Sequence, residues 1–362
     1  MIRAVDDASL EYAAAILRRG GLVAFPTETV YGLGGDVFNI PALARIFEVK
    51  GRPRFDPLII HIAALNALEA AADLSLLPSQ ARDKAHALAG KLWPGPLTMI
   101  LPKRKEIPDL ATSGLATAAI RVPDHPAARR LIFLSNCPVA APSANPFGFL
   151  SPTRARHVEE QLGDAVDLIL DGGPCRVGVE STVLDMTCDP PRILRQGGVP
   201  GELIEGIIGT VAADTAGTAA PGNAAQRSPG QGGGHYAPRT PLVLHDREEM
   251  IRLPDRPGEA WLFFEGRSRD AWQEAPRRKT VPSGIFPAGE SAGGPVNPGE
   301  NAGAGRILTL SGEGNLREAA ANLFEFLHIL DRPGVTLIHA ERAPGTGLGP
   351  AINDRLSRAA LA

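Results

Sequence analysis

Apolar positions along this chain alternate between helical spacing and short continuous runs. Residues 8–19 repeat apolar positions at helical intervals and stop at Gly20-Gly21, a pair that favours a helix C-terminus. Leu22-Val23-Ala24-Phe25 follows as a compact apolar run ended by Pro26, the pattern of a buried strand. The same reading predicts further helices at 40–48, 78–91, 126–134, 154–162 and 200–208. It predicts strands at 58–62, 97–101, 119–122, 139–141, 168–170, 182–185 and 192–194. Beyond residue 240 it predicts strands at 241–244, 260–264, 307–310 and 335–339 and a final helix at 351–361. Residues 314–330 form the clearest helix there, with Leu316, Ala319, Leu323, Phe324, Leu327 and Leu330 on one face. Strands interleaved with helices predict an α/β architecture, and consecutive strands with no helix between them predict a mixed sheet.

Two stretches break the pattern. Residues 212–239 hold 17 Ala, Gly and Pro in 28 positions, a flexible-linker composition. Residues 281–306 hold seven Gly and four Pro and read as a long mobile insertion. The chain therefore divides into a first block at 1–211, a linker at 212–239 and a second block at 240–362. The second block reads as a smaller Rossmann-like α/β fold, although it lacks a G-x-G-x-x-G fingerprint.

Composition narrows the functional classes. Gly (40) and Pro (33) make up about a fifth of the 362 residues, so loops carry much of the chain, while a 44% hydrophobic share excludes wholesale disorder. The formal net charge of -3 argues against a protein that coats nucleic acid. Six Lys against 31 Arg points to coding bias and makes a lysine in a conspicuous loop worth notice. Cys137, Cys175 and Cys188 form no C-x-x-C pair, which excludes a zinc or redox signature and suits a reducing cytoplasm. No apolar run is long enough for a membrane helix, and the N-terminus lacks a signal-peptide layout.

Residues that could carry chemistry cluster at predicted strand ends of the first block. After the strand at Phe25 come Thr27, Glu28, Thr29 and the glycines 32, 34 and 35, which could let backbone N–H groups approach a ligand or could form an ordinary tight turn. Lys50-Gly51-Arg52-Pro53-Arg54 sets three cations within five residues; an extended segment would put all three on one side, suited to a polyphosphate. Arg121 lies in an apolar strand and needs an anionic partner, either a structural salt bridge or a ligand carboxylate. Ser143, Asn145, Ser151 and Thr153 follow the 139–141 strand; Ser151 or Thr153 could instead cap the next helix. Glu180-Ser181 and Arg195 mark two further strand ends.

Taken together, the motifs resemble the Sua5/YrdC/YciO family of threonylcarbamoyl-AMP synthases, in its two-domain Sua5 form. The matching runs are PTETVYGLG at 26–34, KxRP at 50–53, PLIIHI at 57–62, WPGPLT at 93–98, IRVP at 120–123, APSAN at 141–145, SPT at 151–153, GVEST at 178–182 and ILRQG at 193–197. HYAPRTPL at 235–242 and GLGPAINDRL at 347–356 extend the match into the second block. The resemblance implies a YrdC-like twisted mixed sheet with flanking helices and a smaller C-terminal Sua5 domain. It implies formation of threonylcarbamoyl-AMP and pyrophosphate from L-threonine, bicarbonate and ATP with Mg²⁺. The product would go to the tRNA threonylcarbamoyl transferase machinery, for N6-threonylcarbamoyladenosine in tRNAs reading ANN codons. By motif position, Lys50 and Arg52 are the catalytic cations, and with Arg54, Thr117, Ser143, Asn145, Ser151, Arg195 and Tyr236 they hold ATP. Thr27, His61, Arg121 and Ser181 hold threonine, Tyr236 closes the linker as a lid, and no protein ligand to a metal is expected.

Two positions depart from the family pattern. Asp56 stands where Asn is common, an extra negative charge near the proposed phosphate site, and Gly232-Gly233-Gly234 stand where bulkier residues precede the lid. An RNA-binding module, a hydrogenase-maturation carbamoyltransferase and a nucleotide sensor are the competing readings. The first conflicts with 21 Lys+Arg against 23 Asp+Glu over residues 1–211, and the second with the missing cysteine pairs. In the second block, Asn353-Asp354-Arg355 is either catalytic or a helix cap or interdomain salt bridge.

Overall fold

A computed structural model describes residues 1–213, 226–228, 236–275 and 306–361. The linker glycines 232–234 and the insertion at 281–305 lie outside the described residues.

The first block contains β1 (Ile2–Ala4), α1 (Asp7–Arg18), β2 (Val23–Phe25), β3 (Gly32–Asp36), α2 (Ile40–Lys50), β4 (Ile59–His61), α3 (Ser79–Leu92), β5 (Leu97–Pro102), α4 (Asp109–Thr112), β6 (Thr117–Arg121), α5 (Pro126–Ser135), β7 (Val139–Ala140), α6 (Ala155–Leu162), β8 (Leu168–Asp171), β9 (Thr182–Asp185), β10 (Arg192–Arg195), α7 (Gly201–Ile208) and β11 (Ala212–Ala213). Its strands form one mixed sheet in the order β1-β8-β2-β3-β7-β4-β6-β5-β9-β10-β11. The second block contains β12 (Leu242–His245), α8 (Arg247–Met250), β13 (Glu259–Glu265), α9 (Gly266–Glu274), β14 (Ile307–Ser311), α10 (Leu316–Leu330), β15 (Leu337–Glu341) and α11 (Gly349–Ala359). Its four strands, in the order β12-β15-β13-β14, are all parallel. The α/β class and the mixed character of the large sheet agree with the hydrophobic pattern.

Local chemistry explains the element ends. Asp6 caps α1 by accepting from Ser9 N at 2.7 Å, and Asn39 caps α2 through Ala42 N at 3.0 Å. Gly51 ends α2 in the left-handed conformation at φ +60. That turn corrects the expected geometry of the cation cluster. Lys50 is still helical, the chain reverses at Gly51, and a second turn closed by Asp56 N on Pro53 O at 3.1 Å follows, so Lys50 and Arg52 are buried while Arg54 is exposed.

A second correction concerns the glycines after Pro26. Gly32-Leu33-Gly34-Gly35 forms strand β3, antiparallel to both β2 and β7, rather than a loop, although Gly32 at its start still borders the cleft described below. A Cβ at Gly34 would lie 2.7 Å from the Phe25 ring and 2.8 Å from Val139, so glycine here lets neighbouring side chains cross the strand. Strand β1 and helix α9 have no counterpart among the predicted elements: β1 is a short edge strand, and α9 carries little apolar periodicity.

The two blocks share a core. Val30, Leu150 and Val179 of the first block pack in one cluster with Tyr236, Leu323, Phe324 and Ile352. Gly178 adopts φ +77, and a Cβ there would lie 2.3 Å from Ala320 O and 2.4 Å from Ala321 Cα on α10. Gly178→Ala is therefore expected to destabilise the protein by about 1–3 kcal/mol, read as a lower midpoint in denaturant unfolding.

Candidate functional site

Strands β4 and β6 run parallel, and their final residues, His61 and Arg121, are paired in register. The loops after β2, α2 and β7, the turn leading into β9 and the end of β10 meet the same region and enclose a cleft, a narrow cavity of about 60 Å³. Its walls include Thr27, Lys50, Arg52, His61, Arg121, Ser143, Asn145, Ser181, Arg195 and Tyr236. Residues from motifs separated by more than a hundred positions thus share one space.

Four cations line the cleft, and each is anchored. Lys50 Nζ donates to Ser143 O at 2.7 Å and to Asn145 O. Burial, followed by the nearby Arg52 guanidinium, pushes the Lys50 ammonium well below its ordinary value. Arg52 donates to Asp56 O at 2.9 Å and Pro57 O at 2.8 Å and forms a 2.9 Å ion pair with Asp56. Asp56 is fully buried, so its charge anchors Arg52 rather than facing the cleft. Arg195 donates to the Ser181 carbonyl at 3.0 Å and hydroxyl at 3.1 Å; burial holds its guanidinium below the usual value.

Arg121 meets both alternatives open for it. It pairs with Glu28 at 2.6 Å and donates to Thr29 Oγ1 at 2.9 Å and Gly95 O at 3.2 Å, so the structural salt bridge exists. It also lines the cleft, where a ligand carboxylate would share the guanidinium with Glu28. His61 is buried beside it, with Nδ1 3.2 Å from Ile59 O and the ring edge-on to Phe25. Burial, then Arg121, lowers its pKa to about 3, so His61 is neutral at physiological pH.

The uncharged walls supply small polar groups. Thr27 Oγ1 donates to Val30 O at 2.6 Å and holds its own turn. Ser181 Oγ lies 2.7 Å from Thr98 Oγ1. Asn145 Nδ2 donates to Pro146 O and Phe149 O, while its buried Oδ1 has no hydrogen-bond partner and is an open acceptor. Tyr236 adopts φ +64, uncommon for a non-glycine residue, and packs against Phe324 at 5.8 Å between ring centroids. Ala237 N donates to Gly148 O at 2.8 Å, which ties this end of the linker to the cleft rim.

Three of the expected site residues stand elsewhere. Arg54 faces solvent beside Glu48 and Gly51. Thr117 opens β6, two residues before Ala119, which pairs with the cleft residue Ile59. Ser151 is fully buried one bond behind the wall, donating to Glu180 Oε1 at 2.5 Å. The sequence reading also left Glu28, Thr29 and Phe149 without site roles; Glu28 is the partner that the lone arginine in an apolar strand required.

Such a cleft defines a class: an α/β protein whose strand-end pocket is lined by cations and small polar groups. The comparisons with known proteins extend over nearly the whole chain. The Sua5–YciO–YrdC family, described as telomere recombination, matches residues 15–197, and the threonylcarbamoyl-AMP synthase C-terminal domain matches 199–361. The chain is 39% identical to the threonylcarbamoyl-AMP synthase of Pyrococcus abyssi, covering 98% of this chain and 95% of that one. It is 41% identical to the synthase of Bacillus subtilis, covering 98% and 94%. The solved structure of P. abyssi Sua5 complexed with L-threonine is similar at a TM-score of 0.80 and 38% identity, covering 99% and 97%. The chain belongs to the Sua5 family of threonylcarbamoyl-AMP synthases and is an enzyme of this kind.

Proposed function

We propose that the cleft condenses L-threonine, bicarbonate and ATP into threonylcarbamoyl-AMP and pyrophosphate. The observation that carries this reading is the convergence of Lys50, Arg52, Arg121 and Arg195 on one enclosed space also lined by small polar side chains. The threonine nitrogen takes up the bicarbonate carbon with loss of water. An oxygen of the resulting carbamate then attacks the α-phosphorus. The bond from that phosphorus to the β-phosphate oxygen breaks, and pyrophosphate leaves with the electron pair. Both nucleophile and leaving group come from substrates, so the protein's part is to hold anions together and offset their charge.

Lys50 and Arg52 would meet phosphates and the carbamate, and Arg195 and Asn145 the nucleotide, with Asn145 Oδ1 taking a ribose or base donor. Thr27, His61, Arg121 and Ser181 would hold threonine, the ligand of the Pyrococcus relative. Tyr236 shields the reactive adenylate from water.

Mg²⁺ would enter as part of the Mg–ATP substrate. Among the described residues no group of three His, Cys, Asp or Glu side chains could hold a metal. The carboxylates in and behind the cleft wall are committed: Glu28 to Arg121, Asp56 to Arg52 and Glu180 to Arg355.

The same proposal places the enzyme in the cytoplasm, handing its adenylate to a tRNA threonylcarbamoyl transferase. Its three cysteines are free, which suits a reducing compartment. No described helix is long and apolar enough to cross a membrane.

Isotopically labelled bicarbonate tests the reaction. Incubated with threonine and ATP, the enzyme is expected to yield an adenylate whose mass carries both the label and the threonyl group. An unlabelled adenylate would overturn the scheme.

A further inference from the structure

We propose that Arg355, contributed by the second block, is a positioning residue for the cleft: it fixes and neutralises Glu180 so that a polyanion can lie against that wall. The inference rests on the cleft being the ATP site.

Arg355 lies on α11 and is fully buried, a place where a guanidinium persists only with its charge matched. Its Nε donates to Glu180 Oε2 at 2.8 Å, and its Nη1 donates to Gln196 O at 2.6 Å and to Asp354 Oδ2 at 2.9 Å. Asp354 is held from its other oxygen by Arg358 at 2.9 Å, so a short chain of charges on one helix aims the guanidinium. The Arg355 side chain also stands over the Tyr236 ring, 5.1 Å from its centroid.

Arg355 is not part of the cleft wall, yet what it touches is. Glu180 and Tyr236 line the cleft, and Gln196 directly follows the cleft residue Arg195. Glu180 is the member that needs control. A buried carboxylate facing a triphosphate would repel it or take up a proton. Burial alone would raise this carboxyl, but Arg355 and then Arg195 hold it below its ordinary value, and Ser151 donates to its other oxygen. Arg355 therefore keeps Glu180 ionised, in place and electrically offset, and it joins α11 to the GVEST turn, the Arg195 strand end and the lid tyrosine. The catalytic block borrows one cation from its neighbour.

The test uses the full-length enzyme and four chains: wild type, Arg355→Met, Arg355→Lys and Arg355→Met with Glu180→Gln. Arg355→Met is expected to raise the KM for ATP at least roughly tenfold and to move the threonine KM less than about threefold. Amide exchange across residues 178–182 should speed up in the same variant, whatever ligand the cleft takes. Adding Glu180→Gln removes the uncompensated charge and is expected to recover at least about threefold in ATP KM, where a merely structural loss would deepen. If Arg355→Met does not fold, Arg355→Lys carries the test: one ammonium cannot span Glu180 and Gln196, so its ATP KM should rise at least about threefold. An ATP KM within about twofold of wild type in the arginine variants, unchanged exchange at 178–182, or no recovery in the double variant each overturns the proposal. Failure of the underlying ATP reading shows itself separately, as a wild-type enzyme that releases no pyrophosphate from ATP.

Discussion

Lys50→Ala is expected to lose at least about 10²–10³-fold in adenylate formation, read as pyrophosphate release, while its thermal midpoint stays near that of wild type. The ammonium sits at the end of α2, held by two backbone carbonyls, in the wall that would meet the phosphates. Removing it takes away a preorganised charge at the point where negative charge moves during transfer. The effects on stability oppose each other. Two carbonyls lose a donor, at a cost of about 1–3 kcal/mol, and the protein no longer buries a cation. The pH dependence carries a further sign. Burial and Arg52 lower the folded-state pKa of Lys50 below its ordinary 10.5, so the unfolded chain binds that proton more tightly. Stability from this group therefore rises with pH between the lowered value and 10.5 and is lost as pH falls through that window. Denaturant unfolding at a series of pH values should show this slope in wild type and not in Lys50→Ala. A polyanion favours the charged form, so nucleotide affinity should weaken as pH climbs through the same window.

Arg121→Ala is expected to fail twice, in folding and in turnover. Glu28 is almost fully buried, with one oxygen on Arg121 and the other accepting from Asp124 N at 3.0 Å. Removing the arginine leaves a buried carboxylate uncompensated, a loss of about 3–5 kcal/mol. Glu28→Gln added to Arg121→Ala should recover much of that stability, because the orphaned charge is gone. It should not recover activity, because the guanidinium proposed to face the threonine carboxylate would be missing. Equilibrium unfolding and the threonine dependence of pyrophosphate release check the two halves. A double variant that regained both would reduce Arg121 to a structural salt bridge.

How far the sequence could be read follows from the range of each interaction. Elements set by local periodicity and caps fell within two or three residues of their observed ends, as α2 shows with Asn39 at one end and Gly51 at the other. Strand β3 escaped because its glycines answer to Phe25 and Val139 across the sheet, and the chain alone does not reveal its neighbours. The same limit governed the site. Residues at strand ends, such as Arg121 and Ser143, were legible because a charge or a small hydroxyl after an apolar run needs a reason. Which way a cation turned was not: the left-handed Gly51 and the turn from Pro53 to Asp56 break the extended alternation that would have aligned Lys50, Arg52 and Arg54. The bond from Arg355 to Glu180 spans 175 residues, and only the fold brings its two halves together.

Three-substrate dependence is the decisive property of this enzyme. Pyrophosphate release by the purified full-length enzyme should require ATP, L-threonine and bicarbonate together, and omission of any one should return the rate to background. Release that persists at full rate without threonine would contradict it, since the cleft would then be transferring the nucleotide to something other than a threonine carbamate.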